Sequence, residues 1–536
     1  MPKIIEYGKK NFRPLAITTV LFLIYFLPYL SNTTIGVDST ALINNPGSTF
    51  NWLQIGRQGG ILISQIFFKN PQWSMFFCEG MAFVTYIVAL FCFCYLFDWL
   101  ARVAAWKTCF FFLFFMISPI WIEQFYFTMQ IFPIAEGVLL LPVCLFLAYQ
   151  SKKWCWVCDV LLTLILFSIY QTFAIVYIAG CIVCFLLLYY NSAKQNIVTE
   201  KFFWLKLGVR QCLLFIIGFA VNTIVTNKYF MISDYLTEQI QWGKAPIKHC
   251  LRNILGHIYL VLTGDCFALT DDGIFYTGWY SVLLLVAVVL VVLFLRRQRQ
   301  AKEKILPFLA VCFLQTTPFL MTIYGGARPA MRAQFIEPFV LACNILLIFL
   351  ILPDVIPVFE KFLLKNWSKY IELFVCLGSV FILIGQYYAA SQQQYTDAYI
   401  RKRDEALAYS LEQSLIEKTS DTGKITKPVV FIGVYDCPMN NTFMGGDAVI
   451  WSSFNMNTQA TPHFEITSMY YIITYMQSLG IPITAGSAEQ VAAGRIEAQT
   501  MKIYPSEGSI RDMGDYIVVK LGDDPWYEED GLPPIT

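Results

Sequence analysis

A chain of 536 residues with 57% hydrophobic and only 14% charged residues has a mean hydropathy of +0.56, which excludes an ordinary soluble globular protein, where about 25% of residues carry charge. The formal net charge of +1 carries no basic excess for nucleic acid. The 16 cysteines fall mostly inside apolar segments and read as small core fillers, and three histidines cannot assemble a Cys/His metal set.

In chain order, Lys3 to Arg13 precedes an apolar stretch at 15–30. No small-x-small cleavage site follows in Ser31–Thr34, so this reads as an uncleaved first span. Ten further stretches reach spanning length at 73–97, 106–122, 132–149, 154–168, 171–190, 205–226, 276–295, 305–323, 335–352 and 370–389. The apolar run 154–190 is too long for one crossing, and a hairpin broken at Ser168-Ile169-Tyr170-Gln171 is expected. The expected fold is therefore a polytopic α-helical membrane protein with about 11 transmembrane helices.

Loops on the side of the N-terminus hold 20 Lys and Arg, against 8 in the opposite loops before the tail. By the positive-inside rule the N-terminus is cytoplasmic and the tail extracytoplasmic. On the outer side, residues 52–68 pattern as an interfacial helix, with Trp52, Ile55, Leu62, Ile63, Ile66 and Phe67 on one face. A second outer region, 227–275, holds a short apolar stretch at 254–262 that also suits an interface. The tail is expected to form a small extracytoplasmic α/β domain over 391–536, distinct from a transmembrane domain over 1–390. Within it, 391–418 reads as a charged helix, Pro428–Tyr435 as a buried strand, 464–479 as a helix and 516–521 as a strand.

Charged groups near membrane depth are functional candidates by cost alone. Asp38 follows the first span in Gly36-Val37-Asp38-Ser39; it reads either as a catalytic base or as a turn residue capping the next element. Arg57 stands nearby in loop 1. Glu123 ends the third span, followed by Gln124 and then Glu136, with nothing basic between Lys107 and Lys152. Arg328 and Arg332 lie in Gly325-Gly326-Ala327-Arg328-Pro329-Ala330-Met331-Arg332; if that segment is helical they share a face. Guanidinium groups at an outer membrane boundary suit a phosphate ester whose lipid tail stays in the bilayer, or else anionic headgroups. Carboxylates in early loops and arginines late in the chain are the parts that sugar transfer from a polyprenyl-phosphate donor needs: phosphate stabilisation and removal of the acceptor proton.

The segments Gly36-Val37-Asp38-Ser39, Trp52-Leu53-Gln54-Ile55-Gly56-Arg57-Gln58, Pro119-Ile120-Trp121-Ile122-Glu123-Gln124-Phe125 and Ser168-Ile169-Tyr170-Gln171 together resemble the polytopic bacterial glucosyltransferases first known from phage serotype conversion, within the GT-C class of membrane glycosyltransferases. The resemblance covers roughly residues 10–390. It departs at Tyr126–Gln130, where the family pattern has an Arg and an Asp before the next span. It implies a GT-C-like architecture, an undecaprenyl-phosphate-linked glucose donor and an inverting single displacement, with Asp38 as base, Arg57 supporting it and Glu123 a second acidic residue.

The combined reading is a glycosyltransferase of the cytoplasmic membrane that passes a hexose, expected to be glucose, from a polyprenyl-phosphate donor to a cell-surface glycan. Its partners are that donor, the glycan acceptor and membrane lipid. Asp38 and Glu123 are the catalytic candidates; Arg57, Arg328 and Arg332 are assigned to the phosphate, and Gln124 and Gln171 to the sugar. No cofactor is called for; a divalent metal is possible but not required, since arginines can serve the phosphate. The alternatives are a polysaccharide polymerase or ligase using a lipid diphosphate, and a lipid-linked sugar flippase. A transporter would show inverted halves and matching broken spans, which the sequence lacks.

Overall fold

The computed structural model describes residues 2–31, 35–67, 75–197, 200–230, 239–267, 271–298, 303–359, 367–419, 423–435, 447–449, 451–455 and 465–523. They divide into two compact units, one of residues 1–31, 49–125 and 130–391, the other of 32–48, 126–129 and 392–536.

The first unit is helical. Among the described residues, eight helices are long and apolar enough to cross a membrane: Met75–Ala101, Thr128–Ala148, Thr172–Lys194, Phe203–Tyr229, Tyr280–Arg297, Ile305–Gly325, Ile336–Ile356 and Tyr370–Lys418. A ninth candidate is the pair Ala105–Met116 and Pro119–Phe125, bent by 62°. The two other expected spans are also helices, but short ones, at Phe12–Tyr25 (14 residues) and Lys153–Ile169 (17 residues). Burial sorts the set. Within Ile336–Ile356 83% of the apolar window is buried, against 17% for Phe203–Tyr229, so the former is a central helix and the latter a peripheral one.

The 62° bend has a chemical cause. A residue before proline is disfavoured in the α region, and proline brings no N–H to continue the ladder. Ser118-Pro119 therefore breaks the helix and frees carbonyls, which in an apolar surrounding must find donors. Trp121 Nε1 donates to Phe115 O at 2.6 Å, and Tyr25 OH donates to Ser118 O at 2.9 Å. The hairpin expected in 154–190 is present, with Tyr170 extended (φ −157°, ψ 132°) between Lys153–Ile169 and Thr172–Lys194.

Polar pairs fix which helices meet. Gln315 and Asn344 exchange two amide hydrogen bonds at 2.8 and 3.1 Å between Ile305–Thr316 and Ile336–Phe359. Each such bond contributes about 0.6 kcal/mol inside a membrane bundle, but it also sets the register of the two helices. Tyr177 OH donates to Asp159 Oδ2 at 2.8 Å and does the same for the hairpin.

Two local expectations need correction. Residues 52–68 are not one helix: a 3-10 segment, Pro46–Ile55, gives way at Gly56 (φ +72°) to an α-helix over Gln58–Phe67. Trp52, before the break, and Ile63, after it, are buried, while Leu62, Ile66 and Phe67 on the same helix as Ile63 are exposed. Nor do Arg328 and Arg332 share a helical face. Gly326 (φ +68°) caps the Leu320–Gly325 helix, Pro329 cannot continue it, and only a 3-10 turn, Met331–Ala333, follows.

The second unit is built on a three-stranded sheet of order β1-β3-β2, where β1 is Val429–Ile432, β2 Ile510–Asp512 and β3 Ile517–Lys520. β1 and β3 are parallel with Val429 opposite Ile517, and β2 is antiparallel to β3 with Ile510 opposite Val519. The central position of β3 explains its buried Ile517, Val518 and Val519. Leu411 and Leu415 of the long helix Trp367–Thr419, Ile472, Ile473 and Met476 of Glu465–Ser478, and Val491 of Ala488–Ala498 complete the core. Chain-distant pieces join it. The Val37–Asn44 helix packs against Glu465–Ser478, where Thr40 Oγ1 donates to Thr474 Oγ1 at 3.3 Å and Asn44 Nδ2 to Thr474 O at 2.7 Å.

Candidate active site

Arg57 sits immediately after the Gly56 break, half-buried, with its guanidinium 4.6 Å over the Tyr170 ring and Nη1 donating to Gln130 Oε1 at 2.8 Å. Its Nε has no acceptor among the described residues. The segment is anchored on both sides: Gln171 Nε2 donates to Ile55 O at 2.7 Å, and Gln58 Nε2 donates to Thr226 Oγ1 at 2.7 Å. Gln171, expected on a sugar, thus places its amide nitrogen on the backbone that presents Arg57.

Glu123 and Gln124 lie on the short helix beyond the bend, Pro119–Phe125, and both are buried. Neither amide atom of Gln124 is hydrogen-bonded among the described residues. This helix packs against the Met331–Ala333 turn that bears Arg332. Trp121 stacks on Phe335 (centroids 5.2 Å, 25°), and Phe335 in turn meets Tyr170 at 6.0 Å and Phe173 at 5.1 Å. Thr172 Oγ1 donates to Ala333 O at 2.8 Å. An unbroken run, Arg57 to Tyr170 to Phe335 to Trp121, therefore joins the elements carrying Arg57, Gln171, Glu123, Gln124 and Arg332.

Below the bend an apolar groove of about 390 Å³ is lined by Leu21, Ile24, Phe110, Leu113, Val380 and Ile384 among others. It reaches Tyr25 and Ile117, next to Ser118 where the Glu123 helix begins.

Beside the arginine segment lies a buried polar cluster absent from the sequence reading. His257 Nδ1 is 2.6 Å from Thr322 Oγ1, and Nε2 stands 3.3 Å from Glu337 Oε1. Tyr276 OH donates to Gln334 Oε1, and Gln334 Nε2 donates to Pro329 O at 2.6 Å, tying the cluster to Arg328-Pro329. Burial, with the nearby Arg328 guanidinium, pushes the His257 imidazole down to about 3, so it is neutral at pH 7.

Asp38 belongs to the second unit. The backbone places it in the first turn of Val37–Asn44, behind an N-cap at Gly36.

The model of the glucosyl transferase GtrII family matches residues 27–352. The chain belongs to this family. No curated protein and no solved structure matches it. The chain is thus a polytopic helical member of a glucosyl transferase family, and the GtrII match spans Asp38, Arg57, Glu123, Gln124, Gln171, Arg328 and Arg332. The same match includes His257 and Glu337. Glu337 was detectable, as the only carboxylate between Ala333 and Pro353. The pairing was not, since 80 residues separate it from His257. The part of this GtrII-family chain beyond residue 352, including the whole β-sheet, lies outside the match.

Proposed function

We propose that this protein transfers a glucosyl group from a polyprenyl-phosphate carrier to a hydroxyl of a cell-surface glycan, outside the cytoplasmic membrane, by a single inverting displacement on a GT-C-like scaffold. The acceptor oxygen attacks the anomeric carbon, the bond from that carbon to the phosphate oxygen breaks, and the electron pair leaves with the phosphate. Asp38 takes the acceptor proton. Arg57, Arg328 and Arg332 meet the phosphate as its charge develops, and Glu123 and Gln124 orient sugar hydroxyls.

The observation that carries the reading is the Arg57–Tyr170–Phe335–Trp121 run, which gathers a guanidinium, a buried carboxylate helix and the second arginine segment. The apolar groove leading to Ser118 supplies a path for an isoprenoid chain, which explains why the transferase is embedded in a membrane. The excess of Lys and Arg on the N-terminal side supports a cytoplasmic N-terminus and a tail outside.

The test is transfer by purified protein in lipid vesicles with synthetic polyprenyl-phosphate glucose and a glycan acceptor. Asp38→Asn should lower kcat by about 10²–10⁴-fold, the span for a lost general base. Undiminished transfer by a folded Asp38→Asn variant removes Asp38 from the mechanism. Movement of intact lipid-linked sugar without bond cleavage replaces the reading with a flippase.

A further inference from the structure

The second unit joins the tail to two short segments from the first quarter of the chain, 32–48 and 126–129. Arg401, buried on the long helix, ties them together. Its Nε donates to Asp397 Oδ1 at 3.2 Å, one turn earlier. Nη1 donates to Ile35 O at 3.0 Å, Nη2 donates to Trp451 O at 3.2 Å, and the guanidinium lies 4.8 Å over the Tyr126 ring. The 451–455 turn is held in its own right, because Asp404 accepts from Ser452 Oγ at 2.8 Å and from Ser453 N at 2.9 Å. Ile35 lies three residues before Asp38, and on the other side Thr40 and Asn44 are fastened to Thr474. The backbone around Asp38 is therefore pinned at both ends, and each of these hydrogen-bonding partners comes from beyond residue 391.

We propose that the tail is the frame that holds the Asp38 loop in its working position, with Arg401 as the principal positioning residue; this rests on the reading of Asp38 as base. A flat, five-donor guanidinium can meet two carbonyls from different loops, a carboxylate and a ring face at once, which an ammonium cannot. A buried charge costs stability unless each donor is satisfied, and here two of the satisfying groups, the Ile35 and Trp451 carbonyls, belong to the segments being held. The tail thus contributes to the active site by geometry without touching substrate.

The experiment uses the full-length protein in lipid. Arg401→Gln should lower kcat by about 10²-fold, the loss expected of a misplacement near 1 Å, with KM for polyprenyl-phosphate glucose unchanged. Amide exchange over 35–44 should rise while that of 172–194 stays as in wild type. Arg401→Lys should show the same pattern, as should Asp404→Asn, which loosens the 451–455 turn and serves if Arg401→Gln does not fold. The deciding arm is rescue. Thr40 and Thr474 place their side-chain oxygens 3.3 Å apart on two packed helices, which makes them the pair to replace by cysteines. A Thr40→Cys/Thr474→Cys disulfide in the Arg401→Gln background should restore kcat, and reduction should abolish it again. Unchanged exchange over 35–44, wild-type kcat despite raised exchange, or a formed disulfide without recovery each overturns the frame. If Asp38→Asn stays active while Arg401→Gln loses kcat and the disulfide restores it, the base assignment fails and the frame stands.

Discussion

Two adjacent glycines on the helix behind Arg57 make opposite predictions for the same substitution. A Cβ on Gly59 would stand 2.5 Å from Ile165 O, 2.5 Å from Ser168 Oγ and 3.0 Å from Ile169 N. Two of those three atoms are backbone of the Lys153–Ile169 helix and cannot rotate aside. A Cβ on Gly60 would meet only Pro133, at 3.6 and 4.0 Å, ordinary van der Waals distances. Gly59→Ala must push two helices apart, which as overpacking costs about 1–3 kcal/mol. Gly60→Ala keeps the contact and gains from reduced freedom of the unfolded chain, up to about 1 kcal/mol. The expected gap is about 1–4 kcal/mol, measured as unfolding midpoints of the two variants in the same lipid or detergent, where for a chain of 536 residues it appears as a difference of roughly 1–4 °C, with Gly59→Ala the lower. Because Gly59 lies two residues from Arg57, glucosyl transfer should fall in Gly59→Ala and hold in Gly60→Ala. Equal midpoints, or a more stable Gly59→Ala, would refute the close helix contact from which the gap is derived.

Arg57→Lys keeps the charge but loses the flat stacking on Tyr170 and its bond geometry to Gln130; transfer should drop by about tenfold or more, cation–π contacts alone being worth about 0.5–2 kcal/mol, and wild-type kinetics would remove Arg57 from the phosphate. His257 has its imidazole lowered from about 6.5 to about 3 by burial, so the unfolded chain binds its proton first. Stability from this group is complete above pH 6.5 and is lost as pH falls towards 3. At pH 4.5 the loss is about 2–3 kcal/mol. Unfolding midpoints at pH 7.5 and 4.5 should separate less in His257→Asn than in wild type, and an unchanged separation would contradict the burial argument.

The membrane helices were legible because a bilayer demands about 20 apolar residues whatever else the chain does, and each expected stretch contains a helix. The break at Tyr170 was legible for the same reason: 154–190 is too long for one crossing. The bend at Ser118-Pro119 was missed although the proline was visible, because apolarity continues across it. In the tail, β1, β3 and Glu465–Ser478 stand out as apolar runs. β2 has three residues, and Ala488–Ala498 buries Gly494 and Arg495 where an apolar stripe would be sought. Of the candidate site, residue types were readable and partners were not. Spacing put Arg328 and Arg332 on one face only if their segment were helical, and the helix before them ends at Gly325, ahead of both. Nothing local to Asp38 announces Arg401 or Thr474.

The pins on the Asp38 loop also set a timetable. Thr40 and Asn44 are made some 430 residues before the Thr474 that receives them. At about 5–20 residues per second, synthesis leaves that loop uncovered for roughly 20–90 s. Over that interval the Val37–Asn44 segment has neither its helix partner nor the Arg401 contact to Ile35, and it is open to proteases and chaperones. A nascent chain arrested before Thr474 should be cut there, and one carried through β3 should be protected. The enzyme is thus completed from its far end, with the first loop made being among the last to be secured.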